Sequence, residues 1–82
     1  MAIEMKDTAD KVISIIVEKL DIDPFVIQMT STLQDLGVDS LDMVEIIMKI
    51  EEEFNIEIND EVVEKMHNVQ DVISYVHELR TA

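Results

Sequence analysis

Eighty-two residues with one Gly, one Pro and no Cys make a single domain, spanning 1–82, and leave no room for a second folded unit. Nineteen Asp and Glu against six Lys and Arg give a formal net charge of −13, which repels phosphate backbones and anionic lipid and favours cationic protein surfaces. The absence of Cys removes disulfides, thiolate nucleophiles and Cys-based zinc sites, and fits a reducing compartment.

Hydrophobic residues make up 48% of the chain, enough for a core. A domain this short buries only about 60% of its unfolded surface, so modest stability is expected, with salt relieving the self-repulsion of its carboxylates. The opening run Met-Ala-Ile-Glu-Met-Lys-Asp lacks the basic and apolar regions of a secretion signal and the Arg-rich pattern of a transit peptide. No apolar stretch approaches the roughly 18 residues of a membrane span. A cytoplasmic location is the resulting expectation.

Ala9, Val12, Ile13, Ile16 and Leu20 recur at three-and-four spacing and predict a first amphipathic helix over about Asp7 to Leu20. Pro24 breaks the pattern, and Asp21 to Asp39 reads as a long connection with a short turn near Thr32 to Leu36. So long a loop needs pinning, and Phe25, Ile27, Leu33 and Leu36 are the apolar residues expected to do it. Gly37 supplies permissive backbone before the next helix.

The second helix is predicted over about Ser40 to Phe54, with Asp39 as N-cap and Asp42 in the first turn, where the helix dipole favours negative charge. Asn59 or Asp60 caps a short third helix through Met66, and Asn68 caps a fourth with Val69, Val72, Ile73, Val76 and Leu79 facing inward. Only Phe54 to Ile58 alternates like a strand, and a lone strand has nothing to pair with. The fold expected is all-α: a small bundle of three longer helices and one short one, with the long loop between the first two.

On the second helix, Met43, Ile46, Ile47, Ile50 and Phe54 share one arc, the expected core face. Leu41, Val44 and Met48 form a second stripe well over about 100° away, fenced by Glu45 and Glu52 on one edge and Glu51 on the other. Either the long loop or the third helix covers this stripe, or it is a docking surface where charge steers encounter and apolar side chains supply binding energy. The acidic fence favours docking, and Met48 has the adaptable side chain such a surface uses.

Ser40 follows Asp39 at the helix start. A serine there is commonly just a capping hydroxyl. Asp39 is already available as the cap, and a helix N-terminus offers free N–H groups and positive dipole to a phosphate, so a phosphoester on Ser40 would be well placed.

Catalytic motifs are missing. His67 and His77 are ten apart, no His-Glu-x-x-His is present, and surface positions are expected for both; Ser14, Ser31 and Ser74 lack a Gly-x-Ser-x-Gly turn. A calcium loop starting at Asn55 fails because Asp60 replaces the required glycine and Met66 the terminal glutamate. No metal site is expected.

The run Asp35-Leu36-Gly37-Val38-Asp39-Ser40-Leu41-Asp42-Met43-Val44-Glu45 resembles the attachment motif of the acyl carrier proteins, and the similarity extends through Glu51-Glu52-Glu53-Phe54, Ile58 to Glu61 and Val69 to Val72. The resemblance implies a four-helix carrier with no enzymatic activity of its own. It implies 4′-phosphopantetheine on Ser40, carrying acyl groups as thioesters in fatty acid or related lipid and polyketide synthesis. Asn59, where fatty-acid carriers commonly have proline, and Met43, where a smaller polar residue is frequent, leave the pathway open. The partners implied are basic patches on the phosphopantetheinyl transferase, acyltransferases, ketosynthases, reductases and dehydratases. They would dock a monomeric carrier through Asp39, Leu41, Asp42, Val44, Glu45, Met48, Glu51 and Glu52. Ile46, Ile50 and Phe54 are the expected lining of a compartment for the acyl chain. The competing reading is an unmodified acidic adaptor that uses the same stripe, with Ser40 only a cap.

Overall fold

The computed structural model describes residues 3–82; Met1 and Ala2, which open the run read for a targeting signal, lie outside the described residues. Four α-helices follow in order: α1 (Met5–Leu20), α2 (Ser40–Phe54), α3 (Asp60–Glu64) and α4 (Val69–Thr81), with a short 3-10 turn at Pro24–Val26 in the α1–α2 connection. No strand forms among the described residues, and the Phe54 to Ile58 stretch is the end of α2 and a loop.

The helix boundaries follow from side chains that satisfy free amide groups. Asp39 accepts from the amide of Asp42 at 2.8 Å, while the Asp42 carboxylate accepts from the amide of Asp39 at 3.3 Å, a reciprocal capping box. Asn68 and Asp71 repeat the arrangement at α4, and Asn59 accepts from the amide of Val62 at α3. At its C-terminus α2 ends on Asn55 in the left-handed region, φ 54°, and α1 ends the same way on Asp21. Helix α1 begins two residues before the expected Asp7, and no side-chain bond from Glu4 marks that start. Helix α3 ends at Glu64, short of Met66, which is buried just beyond it.

Helix α1 packs against both α2 and α4. Val12 and Ile16 of α1, Ile46 and Ile50 of α2, and Val69, Val72, Ile73 and Val76 of α4 are the fully buried centre. Lys19 near the end of α1 pairs with Glu45 near the start of α2, and Lys11 lies over the Phe54 ring at the other end, so α1 and α2 run antiparallel. Thr8 near the start of α1 meets His77 near the end of α4, so these two are also antiparallel. The end of α1, the start of α2 and the start of α4 therefore gather at one end of the bundle.

The long connection is tied down by backbone. The amide of Leu33 donates to the His67 carbonyl and that of Val69 to the Ser31 carbonyl, both at 3.0 Å, making one antiparallel bridge between Thr32 and Asn68. Leu33 is buried, with Ile27 and Leu36 packed against the core. Phe25 does not pin the loop as expected: it is 93% exposed, because the 3-10 turn sends Ile27 inward and leaves the ring outside.

Surface positions also fail for one of the histidines. His77 is half-buried, with Nδ1 2.9 Å from the hydroxyl of Thr8, which is wholly buried. Arg80 donates to the same hydroxyl at 2.9 Å and to the Asp7 carboxylate at 3.0 Å. Thr8 Oγ1 thus bridges the two α4 side chains, accepting from the Arg80 guanidinium and sharing a hydrogen bond with Nδ1 of His77. The guanidinium also lies 4.5 Å from the centroid of Phe54, joining α2 to the same staple.

Candidate functional site

Ser40 is the first residue of α2, and it is exposed. Capping is done by Asp39, so the serine hydroxyl is not the cap. Asp39 satisfies the amide of Asp42 with its carboxylate and that of Met43 with its carbonyl at 2.9 Å. The amides of Ser40 and Leu41 remain as free donors in the first turn, at the positive end of the helix dipole, which favours a phosphate. The approach is shaped by Gly37, whose φ of 87° lies in the left-handed region that side chains disfavour, with open space where a Cβ would stand. The residues present thus fit a phosphoester at this hydroxyl: the serine is exposed, it is not needed as the cap, and the first-turn amides beside it are free donors.

The two apolar stripes of α2 have opposite fates. Ile46, Ile47 and Ile50 are buried, with Met43 and Phe54 partly so. Leu41, Val44 and Met48 are 66%, 55% and 54% exposed, so neither the long loop nor α3 covers them. They continue directly from Ser40 along the outer face of the helix.

The carboxylates around this stripe differ in freedom. Asp39 and Asp42 are engaged in the capping box. Glu45 forms an ion pair with Lys19, which raises the Lys19 pKa above its ordinary value, mainly through that hydrogen bond and with further attraction from Asp42 and Asp39. Glu51 turns back to accept from the amide of Ile58 at 2.9 Å and holds the connection to α3. Glu52 is exposed and makes no ion pair among the described residues. It borders a surface groove of about 440 Å³ between α1 and α2, whose other walls include Ile15, Lys19, Met48 and Lys49.

Ile46, Ile50 and Phe54 share one face of α2 but do not line that groove. Ile46 and Ile50 are 1% and 0% exposed, packed within the core. Phe54 lies some 14 residues beyond Ser40, about 21 Å along the axis at 1.5 Å per residue. It sits under Arg80 at the stapled end. No three His, Cys, Asp or Glu side chains gather as a metal site among the described residues. No helix among them is long and apolar enough to cross a membrane.

Similarity to known proteins agrees with this geometry. The family described as "Phosphopantetheine attachment site" matches residues 10–76. The acyl carrier protein of Zymomonas mobilis is 48% identical over 75 residues, covering 90% of this chain and 96% of that protein. One from Campylobacter jejuni is 46% identical over 74 residues, covering 89% and 96%. A crystal structure of an acyl carrier protein from Thermotoga maritima superposes with a TM-score of 0.78 at 32% identity, covering 92% of this chain and 88% of the other. An exposed helix-start serine, a helical bundle of the same fold and relatives matched over nearly their whole length lead to one conclusion: the chain belongs to the acyl carrier protein family, carriers and not enzymes, whose cofactor is covalent 4′-phosphopantetheine.

Proposed function

We propose that Ser40 is the attachment residue, and that the chain presents acyl thioesters to enzymes of fatty acid or related lipid and polyketide synthesis. The observation that carries this is the exposed Ser40 hydroxyl at the first turn of α2, relieved of capping by the Asp39–Asp42 box. When attached, the prosthetic group supplies the thiol that a chain without Cys lacks. The protein holds the arm at a fixed point, offers the Ser40 and Leu41 amides to its phosphate, and concentrates the thioester near whichever enzyme has docked.

Docking is assigned to Asp39, Leu41, Asp42, Val44, Glu45, Met48, Glu51 and Glu52. The exposed apolar stripe supports this assignment, as does the net charge of −13, which steers basic partner surfaces toward it. The callers are the phosphopantetheinyl transferase, acyltransferases, ketosynthases, reductases and dehydratases, meeting a monomeric carrier in the cytoplasm. Because Glu45 and Glu51 also hold the fold, Glu52, Leu41, Val44 and Met48 are the residues whose side chains are freest for the partner. Ile46, Ile50 and Phe54 are assigned to the acyl compartment, which opens only as the core parts, each buried methylene returning about 0.8 kcal/mol.

Intact mass after incubation with coenzyme A and a phosphopantetheinyl transferase tests the attachment. The wild-type chain is expected to gain the mass of one phosphopantetheine and Ser40→Ala to gain nothing. An unmodified wild type, or a Ser40→Ala chain that is still modified, would defeat the assignment.

A further inference from the structure

The turn at Pro24–Val26 is built to display an aromatic ring. Pro24 sets the first position, the Asp23 carboxylate accepts from the amide of Phe25 at 2.9 Å, and the amides of Val26 and Ile27 donate to the carbonyls of Asp23 and Pro24 at 3.1 and 3.2 Å. Ile27 is drawn to the core, while Phe25 and Val26 stay 93% and 56% exposed, with Met29 at 42% a little further on. One of only two Phe residues in the chain is thus held in water by an ordered turn.

The turn follows the end of α1 and packs against that helix. It therefore lies at the end of the bundle where α2 starts, the end that carries Ser40. An enzyme that receives a swinging arm is able to sit some way from the serine. One that forms a bond to the Ser40 oxygen must close over this end of the bundle and cover what stands there.

We infer that Phe25, with Val26 beside it, is an anchor for the phosphopantetheinyl transferase, filling an apolar cleft rimmed by Lys or Arg on that enzyme. Charge rules out two other occupants, and the place of the turn at the Ser40 end selects the transferase among basic enzymes. A second copy of the chain would bring another −13 against the first, and anionic lipid is repelled in the same way. The exposed Asp21 and Asp23 stand just before the ring in the chain, Asp23 bonded to the Phe25 amide, and call for a basic rim around the cleft that takes it. The inference rests on Ser40 being the site of modification.

Initial rates of modification of the purified full-length chain, with coenzyme A and the transferase, test the anchor. Phe25→Ser is expected to lower kcat/KM about tenfold, the size of effect a single buried aromatic anchor produces, mainly through KM. Val26→Ser lowers it less. The final mass gain and the melting temperature stay those of wild type, since the ring supports nothing in the free fold. Met5→Ser, which removes an exposed apolar side chain at the opposite end, is the control and leaves the rate unchanged. Wild-type kcat/KM in Phe25→Ser, or an equal loss in Met5→Ser, would overturn the anchor. So would a concentration-dependent dimer of the wild type in sedimentation that Phe25→Ser abolishes, because the ring would then belong to a second copy. A wild-type chain that gains no mass at all would instead strike at the Ser40 assignment.

Discussion

At the end where α1 begins and α4 finishes, Thr8 is wholly buried and bonds both His77 and Arg80, with Arg80 reaching on to Asp7 and the Phe54 ring. At the opposite end Ser40, Leu41 and Phe25 lie exposed, and the lateral tie between α1 and α2 is the surface pair of Lys19 and Glu45. The contrast separates two jobs. Side-chain cross-links among three helices fix the bundle away from the serine. The serine end is held instead by buried core and by the backbone bridge from the long connection to the start of α4, which leaves its outer apolar side chains unpaired.

Breaking the staple is expected to have the largest effect. Thr8→Val keeps the shape but leaves His77 and Arg80 without their shared partner, and should cost about 1–3 kcal/mol of stability. In a domain of this size the melting temperature falls by roughly 4–8 °C per kcal/mol, readable by thermal denaturation, while the rate of modification at 25 °C holds. A wild-type melting temperature in Thr8→Val would break the contrast.

On the open end, Met48→Ala should weaken binding to partner enzymes by about fivefold to tenfold, as truncation of an interface side chain commonly does, with little change in melting temperature. Titration calorimetry against a ketosynthase or the transferase reads the first, and denaturation the second. Glu45→Lys should weaken partners too, but it also sets a second lysine beside Lys19 and lowers stability, so Met48 is the sharper probe. Gly37→Ala should cost on the order of 1 kcal/mol from backbone strain alone, since no neighbouring atom obstructs the added methyl.

The smallest effect is expected on the acid side. The hydrogen bond from Arg80 holds the Asp7 carboxyl below its ordinary pKa of 3.8, with help from Lys11. A carboxyl whose folded pKa is depressed contributes stability that is full above its unfolded value and is lost as pH falls through the folded one. Asp7→Asn should therefore be slightly less stable than wild type at neutral pH, with the difference closing below about pH 3.8. Paired denaturation curves across pH 2–7 would measure it, and a difference that widens in acid would contradict the pairing.

Much of this was legible in the sequence because it is local. Asp39, Asn59 and Asn68 each sit at the position where a side-chain oxygen reaches an amide three residues on, which fixes where α2, α3 and α4 begin. The two stripes of α2 separate by helical period alone, although only the packed structure reveals that nothing covers Leu41, Val44 and Met48. The staple had no local signal: Thr8 and His77 are 69 positions apart, and neither residue type announces burial. The loop misled for a related reason. An apolar residue outside a periodic segment carries no indication of side, and Ile27 went inward where Phe25 went out. Glu51 likewise resembles its exposed neighbours Glu52 and Glu53, yet the left-handed turn at Asn55 brings the Ile58 amide back to it.

The most direct test is to fragment the modified chain and locate the added mass. It should fall on Ser40 alone, leaving every fragment that lacks residue 40 at its unmodified mass. A phosphopantetheine found on Ser31, Thr32, Ser74 or any other side chain would contradict the account.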